Sequence, residues 1–485
     1  MEQQAYTEAS RRRAEVRQRE MLQAKASDTY GNGRRGTPPD AEASDLFDPS
    51  GLYIGALAGR LLFFNGDGHL LTYARTGAGK GRDLILPNLA HIRGRSLVVV
   101  DVKDGENAFA SREHREGEVG DACVYLNPFG LQGLPNTRIN PLQVLVDVVQ
   151  RGEHIDTQAD EIAQVLIPPD PKDRSGGWVR RGALRLLATR MEYLAHFDPD
   201  QCTLSGLWRF VNAFGLSSSL GLMMECGIES IERKAGALLM TLQEAPKQFE
   251  AYKAEVIEAL AAFEPGKTLA ASTDMHELDF GNLKQRPHTV YLIAPSSKLE
   301  AIAPWISLVV NYAVEAIAAS RGAIRTTFLL DEFPQLPPAP AVMKALRLYR
   351  GKGIQLWFFA QGRFSLEGRW SREAVKEFED QASILSFIAV EEPELLRDIE
   401  KWSGNKTVLL RGVNHSGGVV ESAGANLGEG RRAVLQSEDI RAIGAGRQII
   451  KVAGCPYLFD CDRPPFYAVL PWAKQIKDVR SLHST

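Results

Sequence analysis

Residues 69–101 read HLLTYARTGAGKGRDLILPNLAHIRGRSLVVVD and decide the fold class. A short apolar run at 69–74 ends in a glycine-rich turn, and a segment of helical character follows at 82–92. A β-branched run of strand length closes the stretch at 96–101. Strand, glycine loop, helix and strand make a βαβ unit, which predicts a parallel sheet.

Outside this unit, strand-like runs recur with helical segments between them. These runs are 122–130, 288–295, 326–332, 353–361, 383–390 and 447–454. Several of them are apolar almost throughout, which is typical of strands covered on both faces. The long stretch between the first and second of these runs, about 143–264, has helical spacing of its apolar residues and few strand candidates. We therefore predict an α/β fold with a mostly parallel central sheet and an inserted all-α domain.

The domain boundaries follow from these changes in texture. We expect a polar, flexible leader at 1–48, two parts of the α/β domain at 49–145 and 273–470, the all-α insertion at 146–272, and a tail at 471–485. The glycine-rich stretch 411–430 predicts a mobile loop.

Composition excludes several classes of protein. The hydrophobic fraction is 44% and the charged fraction 24%, values of a folded globular chain rather than a disordered or fibrous one. The net charge of −3 shows no global basic excess, so any nucleic-acid surface must be local. Five cysteines without a CxxC pair indicate a reducing compartment. The N-terminus has no signal peptide, and the apolar run 305–319 carries Asn311 and Glu315, which favours a buried helix over a membrane span.

The glycine-rich turn has the features of a phosphate-binding loop. Glycines let backbone N–H groups approach phosphate oxygens, a lysine neutralises β/γ charge, and the following helix N-terminus adds its dipole. We predict that the nucleotide contacts are Thr76, Gly77, Ala78, Gly79, Lys80 and Gly81. Ala74 and Gly81 depart from the usual GxxxxGK[ST] pattern, so magnesium must be reached through water or Thr76. The alternative is a glycine turn with an incidental lysine.

A second signal is the apolar strand 326–330 followed by Asp331 and Glu332. Facing a phosphate-binding loop, one carboxylate can hold Mg²⁺ and the next can polarise an attacking water. We assign Asp331 to the metal and Glu332 to the general base. The pair favours hydrolysis over nucleotide binding alone; the alternative is a solvated acidic turn.

Other polar residues are expected at the same edge of the sheet. Gln361 closes the apolar strand next to the acidic strand and could sense the γ-phosphate or orient water; its alternative is a strand cap. Asp101 and Lys103 follow a third strand, and ligands gather outside the carboxyl ends of parallel strands. Downstream, Arg347 and Arg350 could stabilise transition-state charge from a neighbouring subunit, or be ordinary helix-surface bases.

The combined motifs resemble the TraG-type coupling ATPases of type IV secretion systems. The matching pieces occur in family order over roughly residues 65–470: TGAGKG (76–81), VVDVKDGE (99–106), VYLNPFG (124–130), FLLDEFPQL (328–336) and RGKGIQLWFFAQ (350–361). The resemblance implies a RecA-like P-loop domain with an all-α insertion, assembly as a homo-hexamer, and ATP with Mg²⁺ as cofactors. It also implies that relaxase-bound DNA or secreted proteins are delivered to a secretion channel at the bacterial inner membrane.

Residue by residue, the resemblance matches Lys80 to the P-loop lysine, Asp331 and Glu332 to the acidic pair, and Gln361 to the strand-end glutamine. It places a trans-acting arginine near Arg350. Many family members begin with transmembrane helices, whereas this sequence begins with a polar leader. We therefore expect a cytoplasmic variant that is peripheral at the inner membrane through partners. The segment DVKDGE carries an extra aspartate, Asp104.

Two alternatives stay open beside a DNA-transfer motor. One is a coupling receptor dedicated to protein effectors, and the other is a nucleotide-gated recruitment scaffold with little turnover. Glu332 argues against the scaffold, because a scaffold has no need of a general base. Salt-sensitive DNA binding would separate the motor from the effector receptor.

Overall fold

The computed structural model describes residues 25–169, 177–416 and 422–478. Its strands, in chain order, are β1 Leu52–Leu57, β2 Arg60–Phe64, β3 His69–Ala74, β4 Ser96–Asp101, β5 Ala122–Leu126, β6 His288–Ile293, β7 Thr326–Leu330, β8 Ile354–Ala360, β9 Ala382–Ile388, β10 Asn405–Ser416, β11 Ser422–Ala433, β12 Arg447–Val452 and β13 Phe459–Asp462. Eleven of them form one sheet in the order β2-β1-β13-β12-β9-β3-β8-β7-β4-β6-β5, and β10 pairs with β11 in a separate hairpin.

The seven strands from β9 to β5 in this order are all parallel, which confirms the mostly parallel central sheet. The other end is antiparallel, and its strands β1, β2 and β13 were not predicted. A two-residue turn joins β1 to β2, with Ala58 at φ 50° and Gly59 at φ 78°. Two left-handed residues are the geometry of a tight hairpin turn.

Helices cover the sheet and fill the long interval between β5 and β6. In chain order they are α1 Pro38–Ala43, α2 Leu86–His91, α3 Glu106–His114, α4 Gln143–Gln150, α5 Asp156–Leu166, α6 Trp178–Phe197, α7 Leu204–Asn212, α8 Leu216–Met224, α9 Glu229–Glu244, α10 Pro246–Ala259, α11 Thr268–Thr273, α12 Leu299–Ala319, α13 Pro340–Leu348, α14 Arg363–Glu367, α15 Arg372–Gln381, α16 Pro393–Trp402, α17 Ser437–Arg441 and α18 Trp472–Gln475. Helices α4 to α11 span 143–273, close to the bounds 146–272 predicted for the all-α insertion.

The core has two layers, one on each face of the sheet. Val98 and Val100 of β4 belong to the layer that includes α4 to α7, whereas Leu97 and Val99 belong to the layer that includes α2 and α3. Strands β3, β4, β6, β7 and β8 are buried at every residue. Their continuous apolar sequence therefore reflects burial on both faces.

Helix α12 is the core helix that the sequence predicts. Among the described residues, the helical segment Ser296–Ala319 is long and apolar enough to cross a membrane, by length and composition only. Within the fold, however, 78% of its apolar window is buried. Asn311 is itself buried and accepts a hydrogen bond from the backbone N–H of Ala341 at 3.0 Å.

Three segments differ from their predictions. Residues 411–430 were expected to be a mobile loop, but β10 and β11 pair in register from Asn405–Ala433 to Ser416–Ser422. Within the predicted leader, residues 1–24 lie almost wholly outside the described residues, whereas Ala41 and Leu46 further on are fully buried. Within the predicted tail, Trp472 is buried against the ring of Tyr53, with centroids 4.8 Å apart.

Candidate active site

The glycine-rich loop leaves the carboxyl end of β3 and turns directly into a helical segment. Gly77 and Gly79 adopt φ angles of 77° and 85°, which side chains other than glycine's rarely tolerate. A Cβ at Gly79 would also lie 2.7 Å from Oδ2 of Asp83. The chain enters a π-helical turn, Gly81–Ile85, immediately after Lys80 and continues as α2. This is the wrapped backbone and helix start that a phosphate-binding loop requires.

Lys80 meets the acidic strand end across the intervening strand. Its Nζ lies 2.8 Å from Oδ1 of Asp331 and 2.5 Å from Oε1 of Glu332. The sheet order explains the contact, because β3 and β7 flank β8 and all three end at the same edge. The fold thus brings together residues separated in sequence by the whole helical region.

Glu332 has an unusual backbone conformation. Its φ of 48° and ψ of 36° place a residue with a bulky side chain in the left-handed region, which costs about 1–2 kcal/mol relative to a right-handed residue. Backbone strain of this kind clusters at active sites. The conformation directs the carboxylate toward Lys80 and Gln361, whose Nε2 donates to Oε2 of Glu332 at 3.2 Å.

The charged groups at this edge of the sheet shift one another's pKa values. Burial lowers the pKa of Lys80, but the carboxylates of Asp331 and Glu332 outweigh it and hold that pKa above its ordinary value. Complete burial raises the pKa of Asp101 to about 7, with a further contribution from the charge of Asp331. Lys103 lies 3.8 Å from Oδ2 of Asp331, as its predicted position at this edge requires.

A cavity of about 300 Å³ opens over this edge. It is lined by Thr76, Gly77, Gly79, Lys80, Gly81, Arg82, Leu86, Lys103, Glu106, Asn107, Glu332, Phe466, Tyr467 and Asp478. Of the six predicted loop residues, only Ala78 does not line it: its side chain is half-buried against the core, and its N–H donates to Arg75 O at 3.0 Å. The remaining lining residues apart from Lys103 and Glu332 carry no motif that marks them as site residues; they are Arg82, Leu86, Glu106, Asn107, Phe466, Tyr467 and Asp478.

Arg350 lies at the other end of the sheet. It sits in a short turn before β8, where its Nε is 3.9 Å from Oδ1 of Asp67, a residue that precedes β3. The phosphate-binding loop follows β3, so the length of this strand, about 20 Å, separates the two. Arg350 therefore cannot serve the site of its own chain. Arg347 is exposed and paired with Glu377.

A family model described as type IV secretory system conjugative DNA transfer matches residues 39–480. The chain belongs to this family.

Two groups of relatives of this chain are VirD4 proteins and TraG proteins. Protein VirD4 of Agrobacterium fabrum is 22% identical over 396 residues, which cover 80% of this chain and 57% of that protein. Conjugal transfer protein TraG of Escherichia coli is 22% identical over 480 residues, covering 86% of this chain and 71% of that one. The chain thus spans little more than half the length of its VirD4 relatives.

Solved structures of the plasmid coupling protein TrwB share the fold. The form in complex with ADP and Mg²⁺ superposes with a TM-score of 0.66 at 14% identity, covering 91% of this chain and 95% of that chain. The form in complex with the ATP analogue ADPNP gives 0.65 at 15% identity, with the same coverage. The RecA-like α/β fold with added helices is therefore confirmed.

The residues at the edge fit the magnesium ion that accompanies nucleotides in P-loop enzymes. Magnesium is usually held by one or two carboxylates together with waters and substrate phosphates, not by a cage of protein ligands. The described residues contain no cluster of three or more His, Cys, Asp or Glu able to hold a metal, but Asp331 is a single buried carboxylate beside the cavity. Thr76 lines the cavity and offers a hydroxyl.

The extra aspartate in DVKDGE has a structural role. Asp104 adopts a left-handed φ of 55° and turns away from the cavity. Its Oδ2 accepts a hydrogen bond from Oγ of Ser296 at 2.8 Å, and its Oδ1 accepts one from the Ser296 N–H at 3.2 Å. The residue ties the loop after β4 to the loop after β6, and it leaves Lys103 at the site.

Proposed function

We propose that the chain is the ATPase coupling protein of a type IV secretion or conjugation system. It binds ATP with Mg²⁺, recruits a relaxase–DNA or protein substrate, and uses hydrolysis to drive the substrate toward the secretion channel. One observation carries the proposal: Lys80, Asp331, Glu332 and Gln361 converge at one edge of the sheet in a member of the conjugative DNA transfer family. The TrwB structures with ADPNP and with ADP and Mg²⁺ support the choice of ligand.

Each residue has a distinct task in this proposal. The backbone at Gly77–Lys80 and the ammonium of Lys80 hold the phosphates, so Lys80 exchanges part of its pairing with the acids for phosphate oxygens. Asp331 holds the metal, and Mg²⁺ when bound neutralises charge on the β- and γ-phosphates. Glu332 accepts the proton of the attacking water, and Gln361, hydrogen-bonded to Glu332, orients that water.

Arg350 completes the site from a neighbouring subunit. Its place at the amino end of β8 means that it can reach a nucleotide only across an interface between copies. A head-to-tail ring presents the amino end of the sheet in one subunit to the carboxyl end in the next. A homo-hexamer, docked at the inner membrane through partner proteins, satisfies this requirement.

The first test is ATP hydrolysis by the purified protein with and without single-stranded and double-stranded DNA, at two salt concentrations, with mass measured in parallel. DNA stimulation that fades with salt and accompanies a sixfold rise in mass supports a DNA-transfer motor, because phosphate contacts release counterions. Hydrolysis that is indifferent to DNA favours a receptor for protein effectors. Absence of nucleotide binding contradicts the proposal as a whole.

A further inference from the structure

One part of the cavity wall has no task in the proposed hydrolysis. It is formed by the C-terminal segment, residues 463–478, which contributes Phe466, Tyr467 and Asp478 to the lining. Arg82 and Leu86 also line the cavity. One cavity therefore combines the ammonium of Lys80 with aromatic and apolar groups.

The wall is fixed to the elements that carry the loop. At its start, Nη1 of Arg463 is 2.7 Å from Oδ2 of Asp83, and both side chains are almost completely buried. At its end, the N–H of Lys477 donates to Ala110 O in α3 at 2.9 Å. Trp472 packs between these anchors. The aromatic residues are thus held at a set distance from the loop.

Two flat groups lie together on this wall. The Tyr467 ring is half exposed and packs edge-on against the buried Phe466, with centroids 5.4 Å apart. The guanidinium of Arg82 is hydrogen-bonded to Tyr467 and paired through two nitrogens with Asp83. Aromatic rings and guanidinium planes are the groups on which proteins stack unpaired nucleobases.

We propose that Tyr467 and Arg82 form the base subsite, where they stack the purine of the nucleotide whose phosphates bind at Gly77–Lys80. The inference rests on the proposed nucleotide binding and names the residues that hold the other half of the ligand. Stacking depends on the π-face and not on the hydrogen-bonding edge of a base. The subsite should therefore accept ATP and GTP with similar affinity.

The test compares a nucleotide with a ligand that has phosphates but no base. Calorimetric titration with ATP and with inorganic tripolyphosphate is made on the full chain and on Tyr467→Ala, Tyr467→Phe and Arg82→Lys. Tyr467→Ala should weaken ATP binding about tenfold and leave tripolyphosphate binding unchanged. Tyr467→Phe keeps the ring and loses only the hydrogen bond to Arg82, so it should weaken ATP binding much less than Tyr467→Ala. Arg82→Lys keeps the charge but loses the plane, so it should weaken ATP selectively.

The control is Leu470→Ala, an exposed position on the same segment that should change neither affinity. Unchanged ATP binding by Tyr467→Ala overturns the base subsite and leaves the proposed function intact. Equal weakening of both ligands also overturns it, because the ring would then act by supporting the loop. A wild-type chain that binds neither ligand overturns the proposed function together with the inference.

Discussion

The Glu332→Gln variant should bind ATP and fail to hydrolyse it. The amide has the same size and keeps the same backbone strain, and Lys80 retains its contact with Asp331 at 2.8 Å. The fold should therefore be unaffected. Loss of the proton acceptor should lower the turnover number about 10²–10⁴-fold, which corresponds to about 3–5 kcal/mol in the activation barrier. ATP affinity should be equal or higher, because one negative charge fewer faces the phosphates.

Two measurements separate these effects: steady-state phosphate release, and equilibrium binding of ATP by calorimetry. Glu391→Gln is the matched control, since Glu391 follows β9 at the same edge but is exposed and only loosely paired with Arg441 at 3.6 Å. It should leave both quantities unchanged. Turnover by Glu332→Gln within a few-fold of the wild type would refute the assignment of the base. Loss of ATP binding would show that Glu332 acts in binding instead.

Four further variants test other parts of the site and the stability of the fold. Lys80→Ala should weaken ATP binding by about tenfold or more in calorimetry, because a charged hydrogen-bond donor to the phosphates is removed. Arg350→Ala should spare nucleotide binding and abolish hydrolysis by the oligomer, and mixing it with Glu332→Gln subunits should restore about a quarter of the turnover if the arginine acts in trans. Because burial raises the pKa of Asp101 from 3.8 to about 7, the folded protein holds a proton that the unfolded chain releases, so stability should fall as pH rises between these values by up to about 1.4 kcal/mol per pH unit; Asp101→Asn should flatten this slope in urea unfolding. Arg363→Ala should lower the free energy of unfolding by about 3 kcal/mol. The substitution removes the guanidinium that binds the buried carboxylate of Glu379 through two nitrogens.

The meeting of Lys80, Asp331 and Glu332 at one edge of the sheet can be predicted from the sequence, because the signals for it are local. One strand is followed by Gly77–Lys80 and the other by Asp331 and Glu332. In each case a few residues are enough to recognise where the strand ends. The rule that parallel strands end at one edge then places them together without knowledge of the packing. Gln361 follows from the same rule, and the contact of its Nε2 with Glu332 bears out its predicted position at that edge.

The C-terminal wall could not be predicted by this route. Tyr467 and Asp478 have no motif around them, and they reach the cavity only because residues 463–478 are anchored to Asp83 and Ala110. The hairpin β10–β11 was missed for another reason. Its many glycines indicate a loop, but cross-strand backbone hydrogen bonds do not depend on side chains, so glycine-rich chains can pair when register is fixed at one end. That end is fixed by Asn405, which bridges to the segment at Gly33.

The departure of the loop from the usual pattern has a counterpart elsewhere at the site. Gly81 stands where a hydroxyl normally approaches the metal, and a Cβ at Gly81 would lie 3.9 Å from the ammonium of Lys103. Lys103 also lies 3.8 Å from Asp331. Lys80 and Lys103 thus lie near different oxygens of Asp331, and Lys103 is next to the region that a serine side chain at position 81 would enter. If phosphates bind here, the ammonium of Lys103 can supply positive charge directly. A serine hydroxyl at position 81 would supply it only through a bound metal ion. Lys103→Ala should therefore slow hydrolysis and increase its dependence on magnesium. An unchanged magnesium dependence would show that Lys103 is only a solvated surface residue at the cavity.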